Sequence, residues 1–244
     1  MRALDLFCGA GGATMGMRAA GFEVTGVDQV TRRPDRSLKN PMADKVIVCD
    51  VGRLAAEFLM EFDFVWASPP CQKFSAARRI SHSKKPTVNL IPLTRRLLEK
   101  SGVPGVIENV PAAPLRKDFV LTGPMVGEPG MVRKRVFEFV NMPPPPAAVE
   151  ICARAADIVS LSGNSAPMAP VVKKSYQKFT SMPRAEQLAW KQRVIGAPWM
   201  TWHECNDAVP ARYAFLIARH AMEHLLGGAL RPLPHGGGAG KKRA

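Results

Sequence analysis

The chain has 244 residues, 46% of them hydrophobic and 22% charged, which is typical of one globular α/β domain with a small appendage. With 34 Lys and Arg residues against 20 Asp and Glu residues, its net charge is +14. That excess favours a polyanionic partner such as nucleic acid, although a basic protein without such a partner could have the same composition. No apolar run approaches the ~20 residues that span a bilayer, and the N-terminal run is too short for a signal peptide. We therefore expect no membrane partner.

The cysteine pattern indicates a reducing compartment. The chain has 5 cysteines, an odd number, and they are scattered without a CxxC pair. This argues against a disulfide framework and against a structural zinc site. The sequence predicts a cytoplasmic protein without a metal.

The first 110 residues alternate short apolar runs with helical patterns, which predicts a doubly wound, mostly parallel α/β sheet. Strands are predicted at residues 3–7, 23–28, 45–50, 63–68, 105–110 and 132–140. Helices are predicted over 13–20, over 52–62, over 87–100 with a disturbance at Pro92, and over 184–196 and 210–226. The prolines from Pro143 to Pro146 mark a boundary, and residues 147–183 have no regular pattern.

A glycine-rich turn follows the first predicted strand, in "FCGAGG" (residues 7–12). Glycines allow the backbone to approach a ligand, and the following helix offers unpaired N–H groups. Asp28 ends the second predicted strand and Asp50 ends the third. A carboxylate at the first of these positions suits a ribose diol, and one at the second can accept an adenine amino group. The spacing is not GxGxxG, which makes a dinucleotide less favoured. The alternative is a tight turn and two loop aspartates without a ligand.

A cysteine follows two prolines in "SPPCQ" (residues 68–72), at the end of the fourth predicted strand. The prolines hold the loop rigid, so that the sulfur of Cys71 can be aimed. A catalytic thiol needs positive neighbours, and Arg78 and Arg79 lie close in sequence. The alternative is a buried structural cysteine.

A carboxylate and two guanidinium groups are expected at the same edge of the sheet. Glu108 ends the fifth predicted strand, and Arg133 and Arg135 are two apart on a predicted strand, so we expect them to share one face. A carboxyl group there can act as acid, base or hydrogen-bond donor if burial raises its pKa. The alternatives are a solvated carboxylate and a solvated basic edge.

"DLFCGAGG", "SPPCQKFS", "ENV" and "RKRVFE" occur in this order over residues 3–140, and together they resemble the DNA (cytosine-5)-methyltransferase family. A weaker match lies in "GAPWM" and "NDAVPARYAFLI" near the C-terminus. The resemblance implies a Rossmann-like class I fold that binds S-adenosylmethionine. It also implies methylation of a cytosine flipped out of double-stranded DNA.

The resemblance implies a role for each matching residue. Cys71 would add to C6 of cytosine, Glu108 would hold the N3/N4 edge, and Arg135 with Arg133 beside it would bind O2. Asp28 would contact the ribose of the cofactor and Asp50 its adenine. The remaining expected cofactor contacts are Phe7, Gly9, Gly11, Gly12, Val51 and Pro70. The expected nucleic-acid contacts are Gln72, Ser75, Arg78, Arg79, Lys173 and Lys174.

The chain departs from the family pattern in length and at single positions. Lys73 stands where the family usually has proline, Met131 where it has glutamine, and Asp207 where it has asparagine. We expect a catalytic domain at 1–140, a reduced target-recognition region at 141–183, C-terminal helices at 184–235 and a disordered basic tail at 236–244. Such a small, monomeric form resembles phage-borne or mobile-element members, which serve phage DNA modification or restriction-modification.

Two other functions fit these residues. One is a catalytically silent, DNA-binding homologue, although a binder would not need the thiol. The other is the same chemistry on RNA or with another donor, because residues 1–140 do not separate DNA from RNA.

Overall fold

The computed structural model describes residues 1–29, 40–74, 88–128, 131–146, 159–160 and 179–227. Nine strands lie in these ranges: β1 (Arg2–Leu6), β2 (Glu23–Asp28), β3 (Lys45–Val48), β4 (Phe64–Ala67), β5 (Gly105–Asn109), β6 (Phe119–Leu121), β7 (Met131–Val132), β8 (Arg135–Val140) and β9 (Val159–Ser160). Six α-helices accompany them: α1 (Gly12–Ala19), α2 (Ala56–Leu59), α3 (Ile91–Ser101), α4 (Arg184–Ile195), α5 (Trp202–Asp207) and α6 (Ala211–Leu225). Two 3-10 turns are at Val51–Arg53 and Pro124–Val126.

Seven strands form one sheet in the order β3-β2-β1-β4-β5-β8-β6, and β7 pairs with β9 in a separate two-stranded sheet. β1 is parallel to β2 and to β4, with Leu6 opposite Val27 on one side and Ala67 on the other. β8 is antiparallel to both β5 and β6. The predicted doubly wound, mostly parallel sheet is confirmed.

Buried apolar side chains form two clusters, each joining strands of the sheet to a different set of helices. One cluster packs Met17 of α1 and Ile217 of α6 with strand residues such as Phe64. The other packs Leu59 of α2 and Leu98 of α3 with Leu4 and other strand residues. Strands covered on both faces are buried along their whole length, which explains the nearly continuous apolar runs in the sequence.

The first helix and the last described helix approach each other closely, and two glycines permit this. A β-carbon at Gly12 would lie 2.3 Å from the backbone oxygen of Val209, and one at Gly16 would lie 2.2 Å from that of Ala211. Any side chain at either position would therefore force the helices apart. This contact brings the C-terminal helices back against the first loop of the sheet.

Several predicted elements differ from the observed ones. The helix expected over 52–62 is a 3-10 turn followed by the single turn of α2. Pro92 lies in the first turn of α3 and so begins that helix rather than disturbing it, because the first-turn N–H that proline lacks has no helical partner anyway. The strand expected over 132–140 is broken between β7 and β8. Strand β6 and helix α5 were not predicted.

Part of the predicted domain organisation falls on residues outside the described ranges. These include most of the expected recognition region at 141–183 and all of the tail at 236–244. The division into domains therefore stays a prediction. Helices α4, α5 and α6 lie within the segment expected to return to the sheet.

A buried carboxylate ties α3 to β8. The side chain of Glu138 has no exposed surface and accepts hydrogen bonds from Nε and Nη2 of Arg95, at 2.5 and 2.8 Å. The backbone N–H of Arg116 donates a third bond at 2.9 Å. Burial raises the pKa of Glu138, but the bonds from Arg95 and Arg116 outweigh it, so that this pKa lies below its ordinary value.

We expect Glu138→Gln to lower the free energy of unfolding by ~1.5–3 kcal/mol at neutral pH, because hydrogen bonds to a charged group contribute about that much. Since the pKa of Glu138 is lower in the folded than in the unfolded chain, its contribution is complete above the unfolded value and is lost as the pH falls through the folded value. In urea unfolding, the difference between the two proteins should therefore shrink below the ordinary glutamate pKa of 4.5.

Glu223→Gln is the matched control. Glu223 accepts a hydrogen bond from Arg219 one turn earlier on α6, at 3.1 Å, and its side chain is 40% exposed. An exposed pair of this kind contributes less than ~1 kcal/mol. Equal losses in the two variants would contradict the role assigned to Glu138.

Candidate active site

A cavity of about 360 Å³ opens where β1, β4 and β5 end at their carboxyl edge. Its walls come from the turn after β1, the loop after β4, the end of β5, the start of β8 and helix α5. The residues that line it are Asp5, Phe7, Cys8, Gly9, Ala10, Gly12, Ala13, Asp28, Gln29, Ser68, Pro69, Pro70, Cys71, Gln72, Glu108, Asn109, Val110, Arg135, His203, Glu204, Asp207, Ala208 and Val209.

The turn after β1 has an unusual backbone. Phe7 has a positive φ of 63°, which is rare for a residue with a side chain. The backbone N–H groups of Phe7 and Cys8 both donate to the carbonyl of Val27, at 2.8 and 3.2 Å. Gly9 donates its N–H to Oδ2 of Asp28 at 2.8 Å. These bonds fix the loop against the end of β2, and Gly9 and Gly12 line the cavity.

A buried carboxyl group lies at the bottom of this turn. Asp5 is 1% exposed, and its Oδ2 accepts a hydrogen bond from the hydroxyl of Thr14 at 2.5 Å. Oδ1 of Asp5 has no hydrogen-bond partner among the described residues, although Asp5 lines the cavity. Burial raises the pKa of Asp5 to about 7. A ligand with a polar hydrogen could supply the missing donor.

Cys71 is held on a loop fixed at both ends. Asn109, at the end of β5, donates from Nδ2 to the carbonyl of Pro69 at 2.9 Å. The carbonyl of Cys71 accepts the N–H of Phe74 at 2.8 Å. Burial raises the pKa of the Cys71 thiol, and the largest opposing influence is the charge of Arg135. The thiol is therefore half-buried, aimed into the cavity and protonated at neutral pH.

Glu108 and Arg135 form an ion pair across the antiparallel strands β5 and β8. Glu108 is 5% exposed, and its Oε1 lies 2.8 Å from Nε of Arg135. Both residues line the cavity together with Cys71. The structure thus brings together the thiol, the carboxyl group and one guanidinium group that the sequence placed at this edge.

Arg133 was expected to share a strand face with Arg135, and this expectation is wrong. Arg133 lies in the break between β7 and β8. It is 3% exposed, and its Nη2 donates to the carbonyl of Asn206 at 2.7 Å. Burial, followed by the nearby charge of Arg135, lowers the pKa of Arg133 to about 9. Arg133 therefore does not line the cavity, and its side chain lies behind the cavity wall in contact with α5.

Helix α5 supplies three cavity residues that sequence reasoning did not propose as a site: His203, Glu204 and Asp207. A signal for this helix was present, since Thr201 and Glu204 form a capping box at its start. Asp207 had been singled out only as a departure from the family pattern. Its negative charge adds to the influences that raise the pKa of Cys71.

Three expected cofactor contacts do not line this cavity: Gly11, Asp50 and Val51. Oδ1 of Asp50 instead accepts the N–H of Gly52 at 2.8 Å and caps the 3-10 turn. Gly11 is the N-cap of α1, where a β-carbon would lie 2.1 Å from the side chain of Asn40. Phe7, Gly9, Gly12, Asp28 and Pro70 do line the cavity.

Five expected nucleic-acid contacts lie outside the described residues: Ser75, Arg78, Arg79, Lys173 and Lys174. Gln72 is described and lines the cavity. Within the described ranges, no helix has the length and apolar character needed to span a membrane. The same ranges contain no cluster of three or more His, Cys, Asp or Glu residues that could hold a metal ion.

The parallel sheet, the glycine turn and the cavity at the strand ends define a Rossmann-like class I methyltransferase fold. Residues 1–117 match the model of the C-5 cytosine-specific DNA methylases. Over that segment the chain is similar to this family, in agreement with the resemblance seen in the motifs. The expected cofactor, S-adenosylmethionine, agrees with this similarity.

The relatives identified by sequence are similar over a limited stretch. Type II methyltransferase M.FnuDI of Fusobacterium nucleatum is 32% identical over 77 residues, which are 32% of this chain and 22% of that protein. Type II methyltransferase M.HindV of Haemophilus influenzae is 31% identical over 81 residues, 32% of this chain and 27% of that protein. The matched segment thus spans about a quarter of these relatives. A mutant DNMT2 of Spodoptera frugiperda shares the fold at 13% identity with a TM-score of 0.56, covering 91% of this chain and 100% of that one.

We expect Arg135→Gln to slow the alkylation of Cys71 by iodoacetamide at neutral pH, because Arg135 is the strongest influence that lowers the thiol pKa. The pH at which the rate reaches half its maximum should rise. Peptide mass spectrometry measures Cys71 separately from half-buried Cys49, whose rate should not change. Arg96→Gln, an exposed change on α3, is the control, and an equal effect of both variants would refute the assigned influence of Arg135.

Proposed function

We propose that this chain is an S-adenosylmethionine-dependent DNA cytosine C5 methyltransferase. The observation that carries the proposal is that Cys71, Glu108 and Arg135 line the same cavity as the glycine turn after β1. A nucleophile, a carboxyl group, a guanidinium group and a cofactor cradle in one space are the parts that this reaction needs. The match of residues 1–117 to the model of the C-5 cytosine-specific DNA methylases supports the same conclusion.

The residues of the turn fit S-adenosylmethionine. A β-carbon at Gly9 would meet nothing within 4 Å, which leaves room against the backbone there. Each carboxylate oxygen of Asp28 accepts one backbone N–H, from Gly9 and Gln29, and keeps a lone pair for a ribose hydroxyl. The unpartnered oxygen of Asp5 can accept from the ammonium group of the methionine part. When bound, the cofactor supplies an electrophilic methyl group.

Cys71 would begin the reaction on the cytosine. Its sulfur adds to C6 as a thiolate, which makes C5 nucleophilic enough to take the methyl group. Arg135 favours the thiolate, whereas the negative charge of Glu108 opposes it. The proton that the Cys71 thiol loses is taken up at N3 of the cytosine, where Glu108 holds it, and part of that opposing charge is thereby offset. Binding of the base and activation of the thiol are thereby coupled.

Glu108 and the two arginines would hold the ring. Glu108 takes the N3/N4 edge, and Arg135, with Arg133 behind it, stabilises the negative charge that builds toward O2. After methyl transfer, the C5 proton passes to a solvent water, the C6–S bond breaks, the C5–C6 double bond re-forms and Cys71 leaves as a thiolate. A base inside a duplex cannot reach this cavity, so the cytosine must be flipped out.

Double-stranded DNA is the substrate that we propose, and the net charge of +14 suits its phosphates. Tritiated methyl transfer from S-adenosylmethionine to duplex DNA, single-stranded DNA and tRNA, followed by nucleoside analysis, tests this choice. Labelled 5-methylcytosine from duplex DNA is expected. Transfer to tRNA alone would favour the RNA alternative, and no transfer to any substrate would favour the silent homologue. Monomeric state and cytoplasmic location stay predictions.

We expect duplex DNA containing 5-fluorocytosine to trap the wild-type protein covalently in the presence of S-adenosylmethionine. Fluorine at C5 cannot leave as a proton does, so the thioether to Cys71 persists. Cys71→Ala should form no adduct, as measured by a denaturing gel and by peptide mass spectrometry.

Cys49→Ala is the matched control, because Cys49 is also half-buried but does not line the cavity. It should form the adduct at the wild-type rate. An adduct that persists in Cys71→Ala would show that another residue is the nucleophile.

We expect Asp28→Asn to weaken S-adenosylmethionine binding by ~10–100-fold in calorimetry, since hydrogen bonds to a charged group contribute ~1.5–3 kcal/mol. Asp63→Asn, an exposed change at the opposite edge of the sheet, should leave affinity unchanged. Asp50→Asn separates two positions for the adenine: weaker binding places it against Asp50, and unchanged binding places it elsewhere. Wild-type affinity in Asp28→Asn would refute the proposed ribose contact.

A further inference from the structure

A chain of hydrogen bonds connects a buried lysine of α4 to Arg133. Lys191 is 2% exposed, and its ammonium group donates to Oδ1 of Asn206 on α5. The backbone carbonyl of Asn206 in turn accepts the Nη2 hydrogen of Arg133 at 2.7 Å. Lys191 does not line the cavity, and one residue, Asn206, separates it from the guanidinium group of Arg133 behind the cavity wall.

Lys191 also contacts the first residue of α5. Its Nζ lies 3.7 Å from the centroid of the Trp202 ring, and Trp202 opens the helix that Asn206 nearly ends. A cation over an aromatic face is attracted by the ring, most strongly where solvent is excluded. Lys191 thus contacts α5 at both ends and fixes its position against α4. A buried ammonium group is costly and persists only with such partners.

Arg133 is held by two hydrogen bonds, and the rest of its guanidinium group has no partner among the described residues. Its backbone carbonyl accepts the hydroxyl of Tyr213 at 2.5 Å, and Nη2 is taken by Asn206. Nε and Nη1 have no hydrogen-bond partner among the described residues and are fully buried. Since a guanidinium group is planar and rigid, fixing Nη2 and the backbone fixes the direction of the other two N–H groups.

We propose that Lys191 is a positioning residue that acts through Asn206 to fix the guanidinium group of Arg133 behind the cavity wall. This inference rests on the proposed function, in which Arg133 supports the O2 side of the cytosine. Because catalytic groups must be held within a fraction of an ångström, loosening of α5 would slow the covalent step without changing the cofactor turn on the other side of the cavity.

The test compares Lys191→Met with Arg184→Met. Arg184 is exposed and lies over the same Trp202 ring, at 3.2 Å from the centroid, but makes no contact with Asn206. Lys191→Met should lower the rate of adduct formation with 5-fluorocytosine DNA by roughly tenfold or more at saturating DNA. Arg184→Met should retain the wild-type rate. In both variants S-adenosylmethionine should bind within ~2-fold of wild type, because the cofactor turn is not part of the chain of contacts.

A double-mutant cycle identifies the path of the effect. Asn206→Ala removes the side chain that Lys191 contacts and keeps the carbonyl that Arg133 contacts. If Lys191 acts through Asn206, the double variant should be no slower than the slower single variant. Fully additive losses would overturn the proposal, as would an unchanged adduct rate in Lys191→Met. Parallel losses of adduct, cofactor affinity and thermal stability would also overturn it, since they indicate general destabilisation.

A structural measurement keeps the inference separate from the proposed function. The nitrogen-15 signal of Arg133 Nε, assigned by its disappearance in Arg133→Lys, should be sharp in wild type and shifted or broadened in Lys191→Met. If the wild-type protein forms no adduct, the proposed function fails, and this signal still tests the positioning. An Arg133 signal that is identical in wild type and Lys191→Met would refute it.

Discussion

The strand order of the large sheet reverses at β1, and this reversal determines which loops line the cavity. β1 pairs with β2 on one side and with β4 on the other, so the loops that follow β1 and β4 diverge and leave a crevice. The glycine turn lies on one side of this crevice and Cys71 on the other. The parallel pairing of β4 with β5 then brings Glu108 to the same edge. Loops far apart in the sequence therefore meet in one space.

The charged groups around this crevice partly compensate one another. Glu108 and Arg135 are almost buried and pair directly, which reduces the cost of removing each from water. Arg133 has no carboxylate within ion-pair distance among the described residues, and the carbonyl of Asn206 takes its place. The thiol of Cys71 consequently experiences opposing influences, and burial, the largest of them, keeps its pKa above the ordinary value.

The sequence predicted the sheet and the crevice because both depend on local patterns. Apolar runs, the glycine turn and polar residues at strand ends are visible without knowing the fold. The position of Arg133 between two strands was not visible, since the run from Val132 to Val140 looks like one strand. The chain there passes from the small sheet, where β7 pairs with β9, to the large sheet, where β8 pairs with β5. Asp50 caps a 3-10 turn, and α5 packs against the cavity. Both features depend on the three-dimensional arrangement of the elements, which residue spacing in the sequence does not specify.

The contact between the two ends of the described chain constrains when the protein can fold during its synthesis. The ring N–H of Trp199 donates to the carbonyl of Ala10 at 2.8 Å, across 189 residues of sequence. Gly16 lies against the backbone of Ala211. The face of α1 that packs on α6 therefore stays uncovered until α6 has been synthesised. Domains usually fold as units while the ribosome adds residues. Here the turn after β1 reaches its final contacts only after nearly the whole described chain has been synthesised. A prematurely terminated product would have an exposed apolar face and no complete cavity.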